Sequence, residues 1–318
     1  MNWLIAVVFV LVYIGMALGR WPWLAINRTG IAVFGAVILL ISGAVDRDGA
    51  LASIDFATLA VLLTLMVLSS QYAASGFFDW IGHRITALKC GPGGLLAGVI
   101  VMCGLLSAFL TNDVVVWAVM PVLITGVMAR GLDPKPYVIA VACAANAGSA
   151  ATLIGNPQNL MIAEFGNLDF IGFVLACAVP ALLALGVVYV VILRSPMMRG
   201  QTSSAGAGAI ANTRSTDQPV RLLDKTILTK AVLATIAVIA IFVFVEDRAL
   251  WSLLVVGALL LSRRLSTDQV LGRVDWHLLA LFCGLFIVTG AMAQNDVIAS
   301  LFRDVLITLQ IHHPGVLA

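Results

Sequence analysis

The chain has 318 residues, 61% of them hydrophobic and 11% charged, with a mean hydropathy of +1.07. A soluble domain carries about 25% charged residues, so these charges are too few to cover a water-facing surface, and the composition describes an all-α polytopic membrane protein whose main partner is the lipid bilayer. Eighteen Lys and Arg against 16 Asp and Glu leave a net charge of +2, and no basic stripe interleaves with aromatics, which argues against a nucleic-acid partner.

Apolar runs of about 17–25 residues can cross a bilayer core as helices. In chain order they predict spans over 3–19, 29–45, 55–75, 170–193, 229–245, 249–262 and 276–293. The N-terminus has no basic stretch and no small-residue cleavage site, so the first run reads as a retained span. Segments 77–89 and 297–310 mix apolar residues with Asp, His and Arg and suit helices lying at the interface. Two regions behave differently. Residues 93–128 form one long apolar stretch interrupted by Thr111-Asn112-Asp113, and 137–165 form another interrupted by Gly148-Ser149 and by Gly155-Asn156-Pro157. Trp3, Trp21, Trp23, Trp80, Trp251 and Trp276 fall near span ends and read as interface anchors.

The Ser/Gly/Ala/Thr-rich stretch within 195–225 reads as a flexible linker, and the arginines within it and just before it (Arg194, Arg199, Arg214, Arg221) place it in the cytoplasm by the positive-inside rule. Arg20/Arg28, His83/Arg84/Lys89, Arg130/Lys135 and Arg263/Arg264/Arg273 then belong inside; Asp46/Asp48, Glu164/Asp169 and Glu246/Asp247 belong outside. The alternation closes only if 93–128 is a re-entrant hairpin, which puts the N-terminus outside and makes the chain a multi-pass protein of the cell (inner) membrane.

An internal repeat sets the expected organisation. Ile54-Asp55-Phe56 with Leu59-Ala60 matches Val274-Asp275-Trp276 with Leu279-Ala280, and Pro92-Gly93 with Leu95 matches Pro314-Gly315 with Leu317, both at an offset of about 220 residues. The two copies enter the membrane from opposite sides, as in inverted-repeat secondary transporters. The expected division is a first repeat over 1–194, with its hairpin at 93–128 and broken helix at 137–165, a cytoplasmic linker over 195–225, and a partial second inverted repeat over 226–318. A second repeat of equal length would run about 96 residues past Ala318, so that repeat is expected to be incomplete here. Asp55 and Asp275, equivalent in the repeat, are expected to cap helix N-termini.

The interruptions carry the chemistry. Asp113 is the only charged residue between Lys89 and Arg130, and a carboxylate at bilayer depth costs about 2.5–3.5 kcal/mol, so something must compensate it. Ser107 and Thr111 lie four residues apart, with Asn112 and Asp113 at the break. Hydroxyl, amide and carboxylate oxygens then converge with freed carbonyls, the donor set a hard cation wants. At the second break, Gly155-Asn156-Pro157 cannot continue a helix. Unsatisfied backbone there must face protein or a water-filled cavity, where half-helix N-termini favour an anion and unwound carbonyls a cation.

These residues carry a resemblance. Ser107-x-x-x-Thr111-Asn112-Asp113 followed by Val114-Val115-Val116-Trp117-Ala118-Val119-Met120-Pro121 resembles the first hairpin of the ion transporter superfamily, whose divalent anion:sodium symporters place Ser-Asn-Thr at this tip and whose arsenite permeases place Asn-Asp there. The stretch Asn146 to Leu160, through Ile154-Gly155-Asn156-Pro157-Gln158-Asn159, resembles the unwound fifth helix of its citrate-transporter-like permeases. The resemblance implies a cation site at Ser107, Thr111, Asn112 and Gly155, with Asn146 and Ser149 beside them, and a substrate site at Thr111, Asn112, Asp113, Asn156 and Asn159. It implies Na+ or H+ as coupling ion with no other cofactor, and a small anion such as a di- or tricarboxylate as substrate; a homodimer is left open. Asp113 departs from the symporter pattern, because a carboxylate beside the substrate repels an anion unless a cation or proton screens it. Arsenite or antimonite efflux and Na+/H+ exchange therefore stay open as alternatives.

Two other classes compete. Gly148-Ser149 would suit an intramembrane serine hydrolase, but a nucleophile needs a base within hydrogen-bond reach and no histidine falls in mid-span, so the chain is not expected to be an enzyme. A channel would differ by a flux that no ion gradient drives uphill. The five cysteines (Cys90, Cys103, Cys143, Cys177, Cys283) are scattered without metal or redox spacing, and neither they nor His83, His277, His312 and His313 suggest a transition metal.

Overall fold

The computed structural model describes residues 2–19, 25–166, 168–199, 222–261 and 264–294, and every regular element among them is a helix. In chain order these are α1 (Asn2–Leu18), α2 (Arg28–Ile41), α3 (Arg47–Ser53), α4 (Phe56–Ala74), α5 (Phe77–Thr86), α6 (Pro92–Phe109), α7 (Asn112–Ala129), α8 (Lys135–Ser149), α9 (Pro157–Gly166), α10 (Phe170–Arg194), α11 (Pro196–Arg199), α12 (Lys225–Phe244), α13 (Arg248–Leu260), α14 (Thr267–Leu271) and α15 (Trp276–Ala293). Six of them, α4, α6, α7, α10, α12 and α15, are long and apolar enough to cross a membrane, and α1, α2 and α13 are shorter apolar helices. The all-helical polytopic class expected from composition is therefore the observed one. The segment 297–310, Trp21, Trp23, His312, His313, the Pro314-Gly315-Leu317 match and most of the linker lie outside the described residues.

Some boundaries differ from the hydropathy runs. Helix α12 starts four residues before the expected 229, because the Asp224 carboxylate accepts from the main-chain N–H groups of Thr226 (2.9 Å) and Ile227 (3.2 Å) and so starts a polar first turn. The short α3 and α14 were not expected at all. Each is held by a capping side chain: Asp46 accepts from the Gly49 N–H (2.9 Å), and Ser266 forms a reciprocal capping box with Gln269.

By packing, the chain falls into two compact units. The first takes residues 1–59 together with the chain from Asp275 onward. In it α15 lies along α2, with α1 against both. Ile5, Val8 and Val12 of α1 recur at helical spacing and bury against Ala32, Leu39 and Val288. Asp55 and Asp275 cap α4 and α15 in the same way, each carboxylate accepting at 3.0 Å from the N–H three residues on (Thr58 and Leu278).

The second unit takes residues 60–274. Its most enclosed helix is α4, where Val61, Leu62, Val67 and Leu68 are wholly buried together with Thr64 and Ser69. The 93–128 stretch is a hairpin. Helix α6 ends at Phe109, Leu110 and Thr111 are extended (ψ 156° and 129°), and α7 returns. Arg130, just after α7, donates to the carbonyls of Thr86 (3.3 Å), Leu88 (3.2 Å) and Cys90, just before α6, so one guanidinium closes the base. Each arm has 18 residues, about 27 Å at 1.5 Å per residue.

Helix α8 runs beside α6 in the same direction. The Tyr137 hydroxyl donates to the Pro92 carbonyl (3.1 Å) at the start of both helices, and further along Gly148 crosses Gly104 backbone to backbone. A Cβ on Gly148 would lie 2.6 Å from the Gly104 carbonyl carbon, so only glycine permits this approach.

Candidate functional site

The tip of the α6–α7 hairpin meets the interruption between α8 and α9. The first N–H groups of a helix have no partner within it; that of Asn112 donates to the carbonyl of Gly155 over 3.2 Å. The Asn112 side chain reaches the same region, its Nδ2 donating to Asn146 Oδ1 (3.2 Å), and Asn146 Nδ2 in turn donates to the Ala142 carbonyl (2.9 Å). Two contacts from one residue thus join tip to break.

The break is built from polar side chains that replace the missing helical bonds. Helix α8 stops at Ser149 and α9 starts at Pro157, whose fixed φ and absent N–H suit a first helical position. Ser149 Oγ donates to the Asn146 carbonyl (2.9 Å) and accepts from Asn156 Nδ2 (3.2 Å). Asn156 Oδ1 accepts from the Asn159 N–H (2.8 Å), which makes Asn156 the N-cap of α9. Asn159 Nδ2 donates back to the carbonyls of Thr152 (2.8 Å) and Ser149 (3.2 Å), and Thr152 Oγ1 donates to the Ala108 carbonyl on α6. Gly155 packs so tightly that a Cβ there would fall 2.7 Å from Ser149 Cα. The amides of Asn156 and Asn159 are therefore spent on bracing the break.

Not all the oxygen is spent. Ser107, on the last turn of α6, is fully buried with no partner for Oγ, and Asn112 Oδ1 is buried and equally without one. An unmet buried polar atom costs about 1–3 kcal/mol, and two of them fall on the hairpin whose tip meets the helix break. Thr111 is 5% exposed. It precedes α7 at the position where a threonine hydroxyl ordinarily caps the helix, yet it makes no capping bond. Its Oγ1 instead lies 3.3 Å from Ser69 Oγ on α4.

Asp113 sits in the first turn of α7 with an exposed side chain. That placement answers how its charge is tolerated, because the N-terminal end of a helix dipole favours an anion. Ser149, the hydrolase candidate, has its hydroxyl bonded to a main-chain carbonyl and to an asparagine amide, neither of which is a general base.

The site residues expected from the sequence, Ser107, Thr111, Asn112, Asp113, Asn146, Ser149, Gly155, Asn156 and Asn159, thus lie on four consecutive helices (α6 to α9), the turn between the first two and the break between the last two, all within the second unit. Ser69 is the residue that sequence reasoning missed. It stands in a 19-residue apolar helix that also carries Thr64 and Ser70, each bonded to its own helix backbone, and no local signal separates it from them.

The comparisons with known proteins agree with this architecture. Residues 7–317 match the citrate transporter family. The chain is 37% identical over 163 residues to a silicon efflux transporter of rice, a match covering 51% of this chain and 33% of that protein. It is 28% identical over 287 residues to an uncharacterised transporter of Mycobacterium tuberculosis, covering 87% of this chain and 66% of the relative. A putative arsB transporter of Dictyostelium discoideum is 30% identical over 151 residues, covering 47% and 27%. The chain therefore spans between about a quarter and two thirds of the length of these relatives. With the match running over nearly its whole length and six helices able to cross a bilayer, the chain belongs to the citrate transporter family and is a multi-pass membrane protein.

Proposed function

We propose that the chain acts in a cation-coupled secondary transporter, driven by Na+ or H+, that moves a small anion such as a di- or tricarboxylate by alternating access. The observation that carries this reading is the junction of Asn112 with Gly155 and Asn146, beside which Ser107 Oγ and Asn112 Oδ1 remain unmet. Neutral oxygens at a helix break offer a cation its coordination shell, and the first turn of α7 adds main-chain N–H groups that face an anion. Thr111, Asn112, Asp113, Asn156 and Asn159 line the substrate side in this reading; Ser107, Thr111, Asn112, Asn146, Ser149 and Gly155 surround the ion. The matching caps of Asp55 and Asp275 support an inverted pair of repeats, with the N-terminus outside, the 195–225 linker in the cytoplasm, and the cell (inner) membrane as location.

One observation favours a second reading. Asp113 places a carboxylate beside the same tip, which opposes an anionic substrate, and the relatives include a silicon efflux transporter and a putative arsB transporter. Efflux of a small uncharged oxyacid of the arsenite or silicic type meets no such repulsion.

Transport by the purified chain in proteoliposomes separates these readings. Accumulation of radiolabelled citrate against its gradient, driven by an inward Na+ or H+ gradient and lost in Asn112→Ala, supports the first. Movement of arsenite or silicic acid without citrate accumulation supports the second. Citrate flux that only ever runs downhill, with the Asn112→Ala variant as active as the parent, refutes both and leaves a channel.

A further inference from the structure

The cation site reaches a helix that neither the hairpin nor the broken helix includes. Ser69 lies on α4, 42 positions before Thr111, and is wholly buried. Its hydroxyl and that of Thr111 are 3.3 Å apart, close enough for a hydrogen bond. Each hydroxyl has one proton and two acceptor lone pairs, and only one proton can lie between them, so the pair leaves lone pairs to spare in a space without water-facing surface. Thr111 gains nothing from this as a helix cap, since its side chain makes no capping bond. On the same hairpin, Asn112 one residue after Thr111 and Ser107 four residues before it each carry a buried side-chain oxygen without a partner, Oδ1 and Oγ. Four neutral oxygens, three of them hydroxyls, then serve one helix tip with no ionised group among them. That donor set suits a desolvated monovalent hard cation.

We propose that Ser69 is a positioning residue of this cation site, holding the Thr111 hydroxyl turned away from the α7 start so that its oxygen faces Na+, and thereby tying α4 to whether the tip is occupied. This rests on the cation-coupled reading above. Without Ser69 the Thr111 hydroxyl is free to rotate and cap α7, the ordinary behaviour of threonine at that position, and the ion loses a fixed ligand.

Equilibrium binding of radioactive 22Na+ to the purified full chain in detergent tests this, with the thermal unfolding midpoint measured in choline and in sodium buffer. Losing the orientation imposed by one buried hydrogen bond should raise the half-saturating Na+ concentration of Ser69→Ala by roughly tenfold and shrink the stabilisation by sodium, with the midpoint in choline close to that of the parent. Ser69→Thr, which keeps the hydroxyl, should bind more nearly like the parent than Ser69→Ala. A parent chain that responds to sodium and a Ser69→Ala variant that responds identically overturns the role of Ser69 while leaving the cation site intact. The role is equally overturned if Ser69→Ala loses stability in choline to the same degree as in sodium, which is a packing defect alone. If the parent itself neither binds 22Na+ nor gains stability from it, the sodium-coupled reading fails and this inference with it.

Discussion

The main-chain N–H of Asn112 donates to the carbonyl of Gly155 over 3.2 Å, joining two helix interruptions that lie 43 positions apart in the chain. The bond needs Gly155 to sit against Ser149, and a Cβ at that position would fall 2.7 Å from Ser149 Cα, inside any tolerable contact. Gly155→Ala should therefore push the break apart, destabilise the protein by at least the 1–3 kcal/mol typical of overpacking, and abolish substrate movement in proteoliposomes. A variant with parental unfolding midpoint and parental uptake would show that the Asn112–Gly155 contact is dispensable.

Asp113 is the charged group nearest this junction in sequence, standing next to Asn112 in the first turn of α7. If it carries or screens a proton during transport, Asp113→Asn should flatten the pH dependence of uptake while the protein still inserts and folds. Initial rates measured across the acid-to-neutral range decide the matter; an unchanged pH profile removes any proton role from Asp113.

Arg130 should prove sensitive to substitution although it lies an entire helix away from the tip. Its planar guanidinium serves the carbonyls of Thr86, Leu88 and Cys90 together, and a lysine, with a single point charge on a flexible stem, cannot reproduce that fork. Arg130→Met should cost about 2–3 kcal/mol, the scale of charged hydrogen bonds left unmade, and Arg130→Lys should recover only part of it. Unfolding in mixed micelles measures both, and equal stability of the lysine variant and the parent would count against the fork.

At the start of α12, the Ile227 main-chain N–H, followed by that of Thr226 and by Arg264 at 3.0 Å, holds the Asp224 carboxyl below its ordinary value of 3.8. A depressed folded-state pKa means that the stabilisation is fully present above the unfolded value and disappears as the pH falls through the folded one. The parent should thus be more stable than Asp224→Asn at neutral pH, and the difference should vanish only in acid below pH 3.8. Melting curves of the two proteins over a pH series provide the check; a gap that persists unchanged into strong acid would assign it to something other than the ionised cap.

Much of the hairpin and the break could be read from the chain because polar, Gly and Pro residues are conspicuous in apolar runs: Thr111-Asn112-Asp113 and Gly155-Asn156-Pro157 mark the two sites at which α7 and α9 begin. Hydropathy could not reveal α3, α14 or the true start of α12, since caps from Asp46, Ser266 and Asp224 create helical turns out of residues that are themselves polar. Nor could it assign work to individual amides. Asn156 and Asn159 stand in the motif as convincingly as Asn112, yet their donors go to Ser149 and Thr152, whereas Asn112 keeps a buried oxygen free. Ser69 was invisible for a different reason. Its partner comes from the turn before α7, and a contact between that turn and α4 leaves no trace in either segment alone.

Arg130 ties the residue that follows α7 to the chain that leads into α6, through the carbonyls of Thr86, Leu88 and Cys90. The two arms are therefore joined at both ends, by the Leu110-Thr111 turn at the tip and by one guanidinium at the base, and parting them at the base means giving up three charge-assisted hydrogen bonds at once.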